Sequence, residues 1–119
     1  MNISFDGINE SIVTFKTDTN IEPGKLVSVV CNDTVKQSTV NNSFIGVCIS
    51  CKNNLAAIQI GGFATIKMNT VESLEYGRNF FVSDDDASLK LAENTNSAAI
   101  PLNVVSIDKD TYTIGVFLI

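Results

Sequence analysis

"IEPGKLVSV", Ile21 to Val29, returns 53 positions later as "LEYGRNFFV", Leu74 to Val82. Glu22 and Glu75, Gly24 and Gly77, Lys25 and Arg78, Val29 and Val82 stand at matching places. Each copy runs into a turn-forming cluster, Asn32-Asp33 or Asp84-Asp85-Asp86. A short segment carrying a lysine follows, "TVKQS" or "SLKLA", and then a long hairpin pattern, "FIGVCISCKNNLAAIQI" or "IPLNVVSIDKDTYTIGVFLI". Self-similarity of this kind means that each copy is one supersecondary unit and that the units bury their apolar faces together. It predicts two similar β units packed face to face, as one small barrel or sandwich with approximate two-fold symmetry. The halves fall near residues 21–73 and 74–119 of a single domain, 21–119. Residues 1–20 stand outside both copies, as an N-terminal arm or added strand. A chain of 119 residues is long enough for one core and too short for two ordinary domains.

The fold class is all-β. Val, Ile, Thr and Phe are plentiful, apolar residues rarely recur at helical spacing, and Asn, Asp and Gly interrupt them every eight to twelve residues or so. Short antiparallel strands are expected near Ile12–Lys16, Leu26–Cys31, Thr34–Ser38, Phe44–Ser50, Leu55–Ile60, Ala64–Met68, Asn79–Ser83, Ser88–Leu91, Ile100–Ile107 and Thr111–Leu118. Asn32-Asp33, Lys52-Asn53-Asn54 and Asp108-Lys109-Asp110 predict tight turns, because Asn and Asp tolerate positive φ and bond their own backbone. Gly61-Gly62 predicts a sharp corner where the chain leaves one sheet for another. At most one helical turn is expected, around Val71–Glu75.

Composition excludes several classes of function. The net charge is −5, and the eight Lys and Arg are not clustered, so the footprint of a nucleic-acid binder is missing. Apolar runs stay far short of the ~20 residues of a membrane span. The N-terminus, "MNISFD", has neither the basic nor the apolar region of a signal peptide. Three cysteines, an odd count without a secretion signal, point to reduced thiols made in a cytoplasm.

Three groups of residues invite a chemical reading. Cys48-Ile-Ser-Cys51 has the C-x-x-C spacing of metal knuckles and thiol–disulfide enzymes. A zinc site needs four ligands, whereas His is absent and Cys31 is alone. A redox site needs its first Cys at a helix N-terminus, whereas a turn and a strand follow here. Residues three apart in a strand face opposite sides, which places Cys48 in the core and Cys51 at a strand end. Asp84–Asp86 lacks the Gly and Glu of a calcium loop and reads as a solvated turn. Gly24-Lys25 and Gly77-Arg78 start strands, each Gly serving positive φ or close backbone approach. With no His base, no nucleophile motif and no phosphate loop, neither enzyme activity nor a metal or cofactor is expected. The amphipathic aromatics Tyr76 and Tyr112, with Asn neighbours, leave one alternative: a ligand-binding β module for carbohydrate or cell-wall material.

Five segments carry a family likeness: "PGKLVSVVCNDTVKQS", "FIGVCIS", "AAIQIGGFATIKM", "YGRNFFVSDDDASLKLA" and "VVSIDKDTYTIGVFLI". Together they resemble the small decoration, or cement, proteins of tailed-bacteriophage heads over roughly residues 21–119. The sequence departs from that pattern at Asn32-Asp33, where the family often has Gly, and in its low Gly and Ala content. The resemblance implies a structural virion protein of a phage or prophage. It would be made in the host bacterial cytoplasm and sit on the capsid surface, binding the major capsid protein or another virion protein. It further implies self-association, with trimers favoured, and no catalytic residue. A mean hydropathy of +0.21, high for a chain of this size, agrees with apolar surface covered by another subunit. The alternating "SIVTFK" suggests an arm added to a partner's sheet edge.

Overall fold

The computed structural model describes residues 11–72, 74–93 and 96–118. Among them are nine strands and no helix: β1 (Ser11–Thr17), β2 (Leu26–Cys31), β3 (Thr34–Gln37), β4 (Gly46–Lys52), β5 (Leu55–Lys67), β6 (Gly77–Ser83), β7 (Leu89–Leu91), β8 (Ile100–Asp108) and β9 (Thr113–Leu118). The all-β expectation holds. The one helical turn expected near Val71 is a reverse turn, closed by Leu74 N–H donating to Val71 O.

The strands run in the order β1-β3-β2-β4-β5-β9-β8-β6-β7, with β1 also pairing β5. That second pairing closes β1, β3, β2, β4 and the first part of β5 into a five-stranded barrel. β5 is where the two sheets join. Its residues up to Gly61 pair with β1 and β4, and those from Gly62 to Lys67 pair with β9. Two strands were expected here; one continuous strand passes through the Gly61-Gly62 corner, with Gly62 at φ 83°.

The pairing pattern is built twice. β2 pairs β3 and β4, and β4 pairs β5; β6 pairs β7 and β8, and β8 pairs β9. The likeness reaches the first strand. β1 runs parallel to β3 and antiparallel to β5, while the end of β5 touches β7 through a parallel bridge, Met68–Leu89, and runs antiparallel to β9. The later part of β5 is therefore the counterpart of β1. Ser11–Thr17 pairs with β5 of its own chain and, at Lys16 and Thr17, with β3; residues 1–10 lie outside the described residues.

Local chemistry explains the turns. Asn53 and Asn54 both adopt positive φ, 54° and 63°, as a two-residue hairpin turn requires. Asp33, at 58°, does the same between β2 and β3, and Ala87, at 59°, between β6 and β7. Gly24 and Gly77 share φ 90°, a region that an L side chain rarely enters.

Two cores result. The smaller fills the first barrel with Ile21, Val27, Val35, Cys48, Ala56 and Ile58, backed by Phe15, Cys51 and Ile60. The larger fills the second unit, around Ile66, Phe81, Leu89, Leu102, Val104, Ile114 and Val116. Leu26, Phe44 and Val47 of the first barrel also belong to the larger core. Alternation along β2 and β4 makes this possible: Val27 and Cys48 face inward while their neighbours Leu26 and Val47 face the second unit. The contact between the units is therefore head-to-tail and not two-fold. The first unit offers the outer side of β2 and β4, and the second offers its core and its 84–88 turn.

Candidate functional site

The cysteine pair sits differently from the expectation. Pairing of β4 with β5 slips between Cys48 and Ser50, leaving Ile49 as a bulged extra residue. One extra residue reverses the alternation, so Cys48 and Cys51 both turn toward the small core. Cys48 is buried and Cys51 half-buried; both are free thiols, as is exposed Cys31. Burial, and secondarily the neighbouring Cys51, push the Cys48 thiol up from its ordinary range. A thiol in that state is a poor nucleophile and a poor metal ligand. Its S–H lies 3.7 Å from Ile21 O and 3.6 Å from Ser50 O, the contacts of a packing residue.

The three carboxylates of Asp84, Asp85 and Asp86 cluster within 4.8 Å of one another. Those of Asp84 and Asp86 accept hydrogen bonds from the turn and from Asn69. Asp84 accepts from Asp85 N–H at 2.8 Å, and Asn69 Nδ2 donates to Asp84 Oδ2 at 3.0 Å and to Asp86 Oδ1 at 3.3 Å. The Ser88 hydroxyl and Ser88 N–H also donate to Asp86. The Ser88 hydroxyl is the main reason that the Asp86 carboxyl lies below its usual range. The turn's backbone serves the contact between units: Ala87 O accepts from Leu26 N–H and Asp86 O from Lys25 Nζ, both at 2.9 Å.

The richest surface lies on the outer side of the second unit. Residues directly opposite across neighbouring strands share a face. Phe63 pairs with Phe117, Phe117 with Asn103, and Asn103 with Arg78, a row crossing β5, β9, β8 and β6. The adjacent row, Ala64, Val116 and Val104, belongs to the core, so the Phe63 row points outward. Phe80 and Pro101, also paired, extend the same face. The Phe63 and Phe117 rings meet edge-on at 5.8 Å, and the Arg78 guanidinium lies over the Phe80 ring at 5.3 Å. Gly115 leaves room for this arrangement, since a Cβ there would strike the Phe63 ring at 2.7 Å. Beside Arg78 and Phe80 opens a groove of about 540 Å³, reaching Leu91, Glu93 and Asn96.

Of the two tyrosines, Tyr76 is 69% exposed just before β6, next to this face, whereas Tyr112 lies in the β8–β9 turn with φ 55°. The sequence carries a local signal for the aromatic face. Phe80-Phe81 and Phe117-Leu118 are adjacent apolar residues within strands, so one of each pair must point away from the core.

Compared by sequence, the chain matches no protein-family model and no curated protein. By structure it resembles the N base of head fiber gp8.5 in bacteriophage phi29, with 11% identity and a TM-score of 0.65, over 92% of this chain and 94% of that one. At that identity the likeness is one of fold, and it spans both units.

Proposed function

We propose that the chain is a structural protein of a phage particle that sits on the capsid surface and binds the head lattice as a decoration protein. The observation that carries this reading is the fold shared, nearly end to end, with the base of a phage head fiber. The aromatic face supports it as well. Phe, Tyr and Arg are the residues enriched where proteins meet, and here Phe80 is 51% exposed on a regular strand. The reading includes no catalytic activity. The C-x-x-C thiols serve the core, and the Asp84 and Asp86 carboxylates of the acidic turn are engaged by Asn69 and Ser88. Co-sedimentation of the purified protein with phage capsid shells tests it. Saturable binding to shells is expected, and protein that stays in the supernatant at every shell concentration refutes it.

The groove beside Phe80, with Asn79 and Asn96 among its lining residues, supports a second reading as a carbohydrate-binding module. A glycan array decides it: specific hits lost on Phe80→Ala would favour this reading over the first.

A further inference from the structure

The fold gathers, on the outer face of the first barrel, cations that are scattered along the chain. Residues directly opposite across neighbouring strands share a face. Lys52 pairs with Leu55 and Leu55 with Lys16, a row crossing β4, β5 and β1. The neighbouring row, Cys51, Ala56 and Phe15, belongs to the small core, so the Lys52 row points outward. Lys16 is also paired with Thr34 of β3, and Lys36 stands two residues further along that strand on the same side. The three lysines are exposed, and Leu55 between two of them is 49% exposed. The next outward row is Ser50, Ala57 and Thr14, bordered by exposed Ile12 and the bulged Ile49.

This face is unbalanced in charge. The chain has thirteen acidic and eight basic residues, yet β1, β3, β4 and β5 contain no Asp or Glu. Asp18 and Asp33 lie in the bend after β1 and the turn before β3. Lys25 and Lys90 are engaged inside the molecule, donating to Asp86 O and Asn41 Oδ1. Among the described residues, the ammonium groups of Lys16, Lys36 and Lys52 have no hydrogen-bond or ion-pair partner.

We propose that this face seats an acidic segment of a partner protein, its carboxylates reaching Lys16 and Lys52 on either side of an apolar residue that covers Leu55. The two lysines stand two strands apart, roughly 10 Å, which a segment with acids flanking an apolar residue spans. An apolar centre inside a charged rim is the make-up of a protein interface. Nucleic acid fits the face less well, because it offers no Arg to grip phosphate and no outward aromatic for a base to stack on. A second copy also fits less well, since the chain's own acidic run lies in the joint between units, with Asp86 held by Ser88, Asn69 and Lys25. The face asks only for a carboxylate-bearing partner and stands apart from the capsid reading.

A random-sequence peptide array probed with the purified protein tests it, with far-UV circular dichroism confirming that each variant is folded. Peptides with Asp or Glu on both sides of Leu, Ile or Phe are expected to be enriched, and their binding to weaken as salt is raised. Lys16→Glu and Lys52→Glu are each expected to weaken the best peptide about tenfold, and Leu55→Asp at least as much. Arg78→Glu, on the other unit, is expected to leave it unchanged. An array with no enrichment of acidic peptides overturns the proposal. So does enrichment that survives both lysine variants, or that Arg78→Glu lowers equally. A single-stranded oligonucleotide that binds more tightly than any peptide, and is lost on the same lysine variants, assigns the face to nucleic acid and also overturns it.

Discussion

Ile49 and Val105 hold the same place in the two long hairpins. Each is the single residue skipped when its strand pairs with the next, between Cys48 and Ser50 in one hairpin and between Val104 and Ser106 in the other. Both side chains stand out in solvent, 43% and 39% exposed. A bulge adds twist and bends its strand, which helps a five-stranded sheet to curl. Its recurrence at equivalent places is stronger evidence of a shared unit than matching residue types.

The bulge governs the thiols. Removing Ile49 would restore strict alternation and turn Cys51 out of the small core. The deletion is expected to raise the rate at which Cys51 reacts with a disulfide reagent and to cost about 1–3 kcal/mol, the usual range for a disrupted core. In the wild type, Cys31 should react first and Cys48 last. Stopped-flow thiol titration of single-cysteine variants reads this order.

Leu26 bears on the joint between units. It is fully buried on the side of β2 that meets the larger core. Leu26→Ala is expected to cost about 2–5 kcal/mol, as core truncations do. Val29→Ala, in the same strand but half-exposed, should cost far less. Urea unfolding of the two variants provides the comparison.

The glycines separate backbone strain from collision. Gly24 and Gly77 have open space where a Cβ would stand, so Gly24→Ala and Gly77→Ala should each cost only the conformational penalty of positive φ, about 1–2 kcal/mol, and by similar amounts. At Gly46 an added Cβ would strike the Gln59 backbone carbonyl, which cannot swing aside. Gly46→Ala should therefore be the most damaging of the four. Gly115→Ala, opposed by the Ser106 hydroxyl and the Phe63 ring, should lie between, because side chains can move. Thermal denaturation ranks them.

How much of this was legible can be traced through the same residues. The turn at Asn53-Asn54, the paired Gly24 and Gly77, and the corner at Gly61-Gly62 were readable because each has a local cause, a φ that few residues accept. The bulge was not readable. Nothing in "VCISCK" distinguishes a regular strand from one that skips Ile49, because the slip is set by pairing with β5. Strict alternation accordingly puts Cys48 and Cys51 on opposite faces. Direction of packing was equally hidden. Leu26 and Val27 are both apolar, and only the presence of a second unit shows that they serve two cores. The expected two-fold relation failed for that reason.

Asp86 supplies the pH dependence. Its carboxyl lies below the usual range in the folded chain, chiefly through the Ser88 hydroxyl. A depressed carboxylate contributes stability above its unfolded pKa, about 3.9, and loses it as pH falls through the lower folded value. Stability should therefore decline as the solution is acidified below about pH 4. Ser88→Ala should shrink Asp86's share of that decline, and Asp86→Asn should abolish it. Chemical denaturation at a series of acidic pH values shows which holds.

The account stands or falls on where the protein resides. Immunogold labelling of phage particles from cells producing the chain tests this most directly. Labelling over the surface of the heads is the result expected. Particles whose heads carry no label, from lysates in which the protein is abundant and free, would contradict it.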